Sequence, residues 1–99
     1  MASTVHRYFE WDDAKERLNL KRHGVSFVEA ATVFDDPLVV AYYSEEHSLE
    51  EERYVILGLS DKNRLLAVVY TQRERIRIIA ARELTPRERR SYEESEKEF

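Results

Sequence analysis

The sequence predicts an α+β fold: a small antiparallel meander sheet with two N-terminal helices and one C-terminal helix. Helix start and stop signals frame two segments before residue 37 and one after residue 84. Between them, four short apolar-rich runs are joined by brief polar segments, which is typical of consecutive antiparallel strands. With 99 residues, of which 42% are hydrophobic, the chain can close one core, so we expect a single domain over residues 1–99.

The first helix is predicted over residues 12–23, directly after a short aromatic strand at residues 8–11. Asp12 or Asp13 supplies the N-cap, and Gly24 supplies a left-handed cap after the last turn. The apolar residues that recur at helical spacing, and are therefore expected to face inward, are Trp11, Ala14 and Leu18.

The second helix begins with a capping box, in which Ser26 is the N-cap and Glu29 lies at the third helical position. Its apolar face is formed by Phe27, Ala30, Ala31 and Phe34. It is expected to end at Asp36 because the residue before a proline is disfavoured in the α region.

The strands are predicted over residues 38–43, 53–59, 65–71 and 75–82. Residues 65–70 are apolar at both odd and even positions, so we expect that strand to be central and covered on both faces. The last helix begins at a second capping box, with Thr85 as N-cap, Pro86 at the first position and Glu88 at the third.

Several classes of protein are excluded or disfavoured by composition. The absence of cysteine excludes disulfides, thiolate zinc sites and a cysteine nucleophile. No apolar run approaches the roughly 20 residues of a membrane span, and the N-terminus lacks the apolar segment of a signal peptide, so a cytoplasmic protein is expected. The three histidines are far apart, and no glycine-rich phosphate loop is present, so we expect neither a metal nor a cofactor.

Charge is unevenly distributed along the chain. The net charge of −4 argues against nucleic-acid binding, yet residues 62–90 carry nine positive and three negative side chains. Eight of the nine are arginines, whose planar guanidinium binds phosphate or carboxylate in a bidentate manner. A solvated surface with salt bridges is the simpler interpretation of such a run. Residues 45–52 carry five glutamates and neither lysine nor arginine.

Two arginines of the last predicted strand stand out. Alternation along residues 75–82 places Arg77 on one face and Arg82 on the other, with the inward-facing isoleucines. An inward guanidinium needs a partner, which is either a carboxylate such as Glu10 or Glu51 or an anion held in a cleft.

His47 is a candidate acid–base residue because the unperturbed imidazole titrates near neutral pH. A solvated surface residue is the simpler interpretation of a loop histidine. His23, in the last turn of the first helix, is most simply a cation at a helix C-terminus. The tyrosines are candidates for stacking on bases, although most are expected to pack in the sheet.

The chain resembles the BrnT family over residues 8–92. In the first half, the residues that carry the resemblance are Phe9-Glu10-Trp11-Asp12, Lys15, Asn19, His23-Gly24-Val25-Ser26-Phe27, Glu29-Ala30, Val33-Phe34 and Asp36-Pro37. In the second half they are His47-Ser48, Glu51/Glu52-Arg53, Gly58-Leu59-Ser60, Arg77-Ile78-Ile79-Ala80-Ala81-Arg82, Glu88-Arg89 and Tyr92. Two departures are Arg22, where the family usually has Lys, and Ala80, where it usually has Ser.

The resemblance implies a RelE-like fold and a ribonuclease toxin of a type II toxin–antitoxin system that inhibits translation. The implied partners are RNA and a BrnA-like antitoxin that binds DNA, so that DNA is contacted only through the antitoxin, in a hetero-oligomer without membrane contact. A non-catalytic module that docks an acidic partner protein is the alternative function.

The expected mechanism is metal-independent attack of an RNA 2′-hydroxyl on the neighbouring phosphate. Arg53, Arg77 and Arg82 are predicted to stabilise the phosphorane, and His47 to act as acid or base, with His23 in reserve. The residues predicted to help bind the substrate are Arg73, His23 and Tyr92.

Overall fold

Within residues 2–5, 7–45 and 51–97, which the computed structural model describes, six strands form one mixed sheet accompanied by three α-helices and a short 3-10 helix. The elements are, in chain order, β1 (Ser3–Val5), β2 (Phe9–Asp12), α1 (Asp13–His23), α2 (Phe27–Thr32), the 3-10 helix (Val33–Asp35), β3 (Val40–Tyr43), β4 (Tyr54–Leu59), β5 (Leu65–Gln72), β6 (Ile76–Glu83) and α3 (Pro86–Lys97).

The α+β class is confirmed, but the prediction of a purely antiparallel sheet is wrong. The strand order is β1-β2-β6-β5-β4-β3, and β2 pairs with β6 in parallel. The remaining neighbours are antiparallel, so the predicted meander survives as β3 to β6. The helix arrangement also differs from the predicted one, because α1 and α2 follow two strands and are inserted between β2 and β3. The chain returns to β2 only after this long connection, as a parallel pair requires.

The main core lies between one face of the sheet and α2. Its largest fully buried side chains include Trp11, Phe27, Leu66 and Ile78. Strand β5 is central, as predicted, and its residues 66–69 are buried on both faces. The structure therefore has one covered face, under α2, and a second face with a smaller apolar cluster.

Helix α1 does not contribute the apolar stripe that its spacing predicts. Ala14 is exposed and Leu18 is 45% exposed, whereas the buried residue of the helix is Asn19. The Asn19 amide donates to the carbonyls of Val25 (2.9 Å) and Ala81 (2.8 Å) and accepts from the Ala81 N–H (3.0 Å). Helix α1 is thus attached to the edge of β6 by hydrogen bonds, because β2 pairs with β6 only at its beginning.

The predicted helix boundaries are confirmed at their caps. Asp12 accepts from the Ala14 N–H, and Gly24 has a left-handed φ of 68° at the end of α1. Ser26 Oγ accepts from the Glu29 N–H at 3.1 Å. The carboxylate of Glu29 forms an ion pair with Arg64 and accepts a hydrogen bond from Ser60 Oγ at 2.7 Å.

Asp36 joins the last helix to the sheet. It accepts from the N–H groups of Leu38 (2.9 Å) and Leu59 (2.7 Å) and from the hydroxyl of Tyr92 on α3 (2.7 Å). Burial alone would raise the pKa of Asp36, but these three hydrogen bonds outweigh it and lower that pKa. The apolar face of α3 is thin, and the hydrogen bond between Tyr92 and Asp36 also attaches this helix to the sheet.

Strand β6 contains one extra residue relative to its partner β5. Val69 pairs with Ala80, but the next residue, Tyr70, pairs with Ile78, so Ile79 is the inserted position of a β-bulge. A bulge of this kind reverses which side chains face each side of the sheet from that point on.

Candidate functional site

The sheet face opposite α2 is only partly covered, and we call it the open face. Its apolar floor consists of Val55, Ala67, Val69 and Ala80. At one end, the first turn of α3 lies beside Tyr42. Of the described residues on this face, Val55, Ala67 and Val69 are buried, whereas Tyr42 is 42% exposed and the side chain of Arg82 is 39% exposed.

Arginines lie on the open face at the end remote from α3. Thr71 follows Val69 on this face by alternation, and Arg77 pairs with Thr71 from the neighbouring strand. Continuing the β4–β5 register by one position puts Arg53 opposite Thr71 on its other side. We call Arg53, Thr71 and Arg77 the arginine row. Its two outer Cα atoms are about 10 Å apart, since neighbouring strands are about 4.8 Å apart.

Each guanidinium of the arginine row forms an ion pair. Arg77 contacts Glu10 of the neighbouring β2 at 3.2 Å, and Arg53 contacts Glu51 at 3.5 Å. Glu51 also contacts Arg73 at 3.0 Å, and this hydrogen bond is the main reason that the pKa of Glu51 lies below its usual value. The row therefore combines positive charge with carboxylates that hold the guanidinium groups in place. An anionic ligand has to join or displace those carboxylates.

A groove of about 740 Å³ occupies the middle of the open face. Its floor is the apolar floor named above, and Arg82 lies at its α3 end. Its other lining residues are His23, Tyr42, Tyr43, Ser44, Glu45 and Ala81. The short side chain of Ala80 and the aromatic side chain of Tyr42 make it suited to a flat ring, whereas the ring of Tyr43 packs against Tyr54 on the other face of the sheet.

The α3 end of the groove is fixed by a network around Glu88. Arg82 binds both carboxylate oxygens of Glu88, at 2.7 and 3.0 Å, and the Tyr42 hydroxyl donates to Glu88 at 3.3 Å. Glu88 also accepts from the Thr85 N–H at 2.9 Å, completing the predicted capping box of α3. The hydrogen bond from Arg82 is the largest cause that lowers the pKa of Glu88 to about 2.

The predicted orientation of Arg82 is wrong, because the bulge at Ile79 reverses the alternation. Arg82 pairs with Ala67 and lies on the open face, the same face as Arg77. Its predicted carboxylate partners, Glu10 and Glu51, contact other arginines, and its ion-pair partner is Glu88. The bulge thus gathers on one face two arginines that simple alternation separates.

The predicted arginines fall into two groups. Arg53, Arg73 and Arg77 lie at the row, whereas Arg82 lines the groove together with His23. Arg77 and Arg82 pair with Thr71 and Ala67, which are four residues apart on β5, so their Cα atoms are about 13 Å apart at about 3.3 Å per residue. Their ion pairs also draw them towards opposite ends of the face, so a single phosphate does not reach both.

Two other predicted residues are not part of this arrangement. Tyr92 is 6% exposed, and its hydroxyl donates to Asp36, so it joins α3 to the sheet instead of lining the open face. His47 lies outside the described residues, and its assignment as acid or base stays a prediction.

Sequence reasoning did not single out Glu45 or Thr71 as site residues, and it assigned Glu88 to capping alone. It named Tyr42 only as one of several tyrosines that are candidates for stacking on bases. The capping-box signal was sufficient to locate Glu88, but its pairing with Arg82 depends on the bulge. Thr71 carried no signal of its own, since it becomes central only through pairing on both sides. Among residues 2–5, 7–45 and 51–97, no helix is long and apolar enough to cross a membrane.

Comparison with known proteins agrees with this architecture. The family model for the ribonuclease toxin BrnT of type II toxin–antitoxin systems matches residues 11–88. The crystal structure of the ribonuclease toxin BrnT from Brucella abortus is similar in fold, with a TM-score of 0.60 and 18% sequence identity over 76% of this chain and 92% of that chain. No match is found among curated proteins. Because the family model spans most of the chain, this protein belongs to the BrnT family of ribonuclease toxins of type II toxin–antitoxin systems.

Proposed function

We propose that this chain is an endoribonuclease that cleaves RNA on its open face without a metal ion. The observation that carries the proposal is the arginine row, in which Arg53 and Arg77 flank Thr71 on a sheet face that α2 does not cover. Family membership supports the choice of RNA as substrate. With Cα atoms about 10 Å apart on either side of Thr71, the two long side chains can both reach a phosphate bound between them.

In the proposed reaction, the 2′-oxygen of one ribose forms a bond to the adjacent phosphorus, and the bond from phosphorus to the 5′-oxygen breaks. A base removes the proton of the 2′-hydroxyl, and an acid supplies a proton to the departing 5′-oxygen. The pentacovalent phosphorane carries more negative charge than the ground state. Arg53 and Arg77 stabilise that charge, and Arg73 assists them.

The ion pairs of the row are compatible with this role. A guanidinium has five donors, so a carboxylate on one edge leaves other donors for a phosphate. Glu10 and Glu51 hold the arginines in position before the substrate arrives, which reduces the side-chain entropy lost on binding. The acid–base residue remains the predicted His47, with His23 in reserve at the groove.

The proposal includes the biological setting that the family implies. Cleavage of RNA inhibits translation, and a BrnA-like DNA-binding antitoxin neutralises the toxin in a hetero-oligomer. Covering the open face is the simplest way for the antitoxin to do so, because the arginine row and the groove are then both closed to RNA.

The test is RNA cleavage by the purified full-length chain and its variants, with and without a chelator. We expect Arg77→Ala and Arg53→Ala each to lower the cleavage rate by about 100- to 1000-fold, as removal of one oxyanion-stabilising donor typically does. Arg17→Ala, at an exposed position of α1, is the matched control and leaves the rate unchanged. Thermal unfolding of each variant confirms that it is folded.

Two results oppose the proposal. Loss of cleavage on chelation contradicts a metal-free reaction. Absence of cleavage by the wild-type chain on any RNA favours the alternative, a non-catalytic module that docks a partner protein.

A further inference from the structure

We propose that the groove binds the base of one ribonucleotide of the substrate and prefers guanine. The inference rests on the proposed function for the substrate class, RNA, and adds to it a binding subsite and a base preference. The groove volume of about 740 Å³ lies within the range of small-molecule sites and accommodates a nucleotide.

The walls and floor of the groove suit an aromatic ring. Tyr42 is 42% exposed and separates the groove from a smaller depression beside α3, while its hydroxyl is held by Glu88. Its ring is therefore presented in a defined orientation, as a stacking platform should be. On the floor of the groove, the half-buried Ala80 has a short side chain that lets a planar base approach the sheet closely.

The charged residues of the groove suit the remaining parts of a nucleotide. Arg82, whose side chain is 39% exposed, is fixed by its bidentate pair with Glu88 and offers a cation for a phosphate. Apolar floor, aromatic wall and arginine together form the combination by which proteins bind single-stranded RNA.

Glu45 supplies the basis for a guanine preference. Glu45 lines the groove, and its carboxylate has only acceptors when ionised. Guanine alone among the four bases presents two adjacent donors, the N1–H and the N2 amino group, on its Watson–Crick edge. The two oxygens of a carboxylate match this pair, whereas the other bases place an acceptor next to their donor.

The position of the groove relates it to the proposed site of cleavage. Val55 and Val69 on its floor each lie two positions along a strand from a member of the arginine row, Arg53 and Thr71, a distance of about 7 Å. A base in the groove therefore belongs to a nucleotide next to the phosphate at the row.

The test is the binding of four nucleoside 3′-monophosphates, those of guanosine, adenosine, cytidine and uridine, to the full-length chain by calorimetry and by NMR. We expect guanosine 3′-monophosphate to bind at least tenfold more tightly than the other three. Tyr42→Leu weakens binding of all four by roughly tenfold or more because the stacking platform is lost. Glu45→Gln removes the preference for guanine and leaves the weaker binding of the others unchanged.

Matched controls come from exposed residues outside the groove. Tyr8→Leu and Glu94→Gln remove a tyrosine ring and a carboxylate from exposed positions, and both are expected to bind like the wild type. Tyr42→Phe keeps the ring and therefore retains most of the binding.

The inference is overturned if no monophosphate binds, if the four bind equally, or if Glu45→Gln keeps the guanine preference. These outcomes are separable from failure of the proposed function. If the chain binds guanosine 3′-monophosphate through Tyr42 and Glu45 but cleaves no RNA, the subsite is supported and the proposed ribonuclease activity is contradicted. If the chain cleaves RNA but shows no base preference in this binding assay, only the subsite is contradicted.

Discussion

Asn19 shows how one side chain replaces a missing strand. Beyond the short β2 pairing, the edge of β6 would leave the N–H and carbonyl of Ala81 without a backbone partner. The carboxamide of Asn19 satisfies both groups, at 3.0 and 2.8 Å, and also bonds the carbonyl of Val25. Buried backbone groups are expensive to leave unpaired, so a polar residue takes the place of the expected apolar contact.

We predict that Asn19→Asp lowers the free energy of unfolding by about 3 kcal/mol at neutral pH. The substitution keeps the shape of the side chain but turns an oxygen towards the two carbonyls that the amide now contacts. Asn63→Asp is the matched control, because Asn63 is exposed in a turn with a φ of 59°, which aspartate tolerates. Urea unfolding measures both. Equal stabilities of the two variants would show that Asn19 is not needed to attach α1.

Whether the role of a single residue can be predicted depends on how near its partners are in the sequence. The caps at Asp12, Gly24 and Ser26 were predictable because each depends on residues within one turn. The burial of Asn19 and the exposure of Leu18 were not, because helical spacing identifies an apolar face only when apolar contacts hold the helix. Helix α1 is held by hydrogen bonds to a strand 62 residues away.

The N-terminus of α3 concentrates several contacts on Glu88. This carboxylate caps the helix, binds Arg82 in a bidentate manner and accepts from Tyr42. The start of the helix and one end of the groove are therefore built from the same residue. A change in the ionisation of Glu88 acts on both.

We predict that Glu88 contributes about 3 kcal/mol to stability at neutral pH, because its pKa falls from 4.5 to about 2 on folding. The pKa is lower in the folded chain, so the contribution is complete above pH 4.5 and is lost as the pH falls towards 2. The difference in unfolding free energy between wild type and Glu88→Gln should therefore be large at pH 7 and small near pH 2. Urea titrations at several pH values measure it.

Glu94→Gln, on the same helix, serves as the control for Glu88→Gln because Glu94 is exposed. A difference between wild type and Glu88→Gln that stays constant down to pH 2 would contradict the assignment of the ion pair.

Strands β2 to β6 were predicted to within two residues at each end, but β1 was not predicted, and neither were the faces of β6. Alternation along the strand predicted the correct face of the sheet for the residues before Ile79. It predicted the wrong face for the residues after Ile79, including Arg82. A bulge has no reliable marker in an apolar run such as Ile78-Ile79-Ala80-Ala81, since no glycine or proline interrupts it. The pairing with β5 decides where the extra residue is placed.

Over the whole molecule, a net charge of −4 coexists with a face that carries four arginines, at positions 53, 73, 77 and 82. Their carboxylate partners, Glu10, Glu51 and Glu88, lie on or beside the same face. The acidic segment before β4 thus contributes at least Glu51 to neutralising the arginines. The proposed RNA contacts therefore depend on the local arrangement of these side chains and not on the net charge.

We predict that binding of single-stranded RNA weakens by about 50-fold between 50 and 200 mM salt, if each of the four arginines contacts one phosphate with a slope of about −0.7. A chain carrying Arg77→Ala should show a slope that is smaller by about 0.7. Fluorescence anisotropy over a salt series measures both slopes. A salt-independent affinity would argue that RNA is not held by these arginines.

The family and the order of elements from β2 to α3 were predictable for the molecule as a whole, because they depend on patterns along the chain, whereas β1 was not predicted. The parallel pairing of β2 with β6 was not, because residues 9–10 carry no information about which strand they join. The division of the arginines into a row and a groove follows from strand pairing and from the bulge, neither of which has a signature within a single strand.

The inserted residue in β6 divides that strand into two halves that are out of phase. If β6 paired with β5 without a bulge, Arg82 would lie opposite Leu66 in the space beneath α2 and Ala81 would turn outward, without altering any chemical group of the site. In a lineage of such proteins, a one-codon deletion at Ile79 would instead remove the bulge and leave the residues offered to a ligand unchanged, because the pairings on both sides of it are kept. Alignments of relatives should place their gaps here with reference to strand pairing.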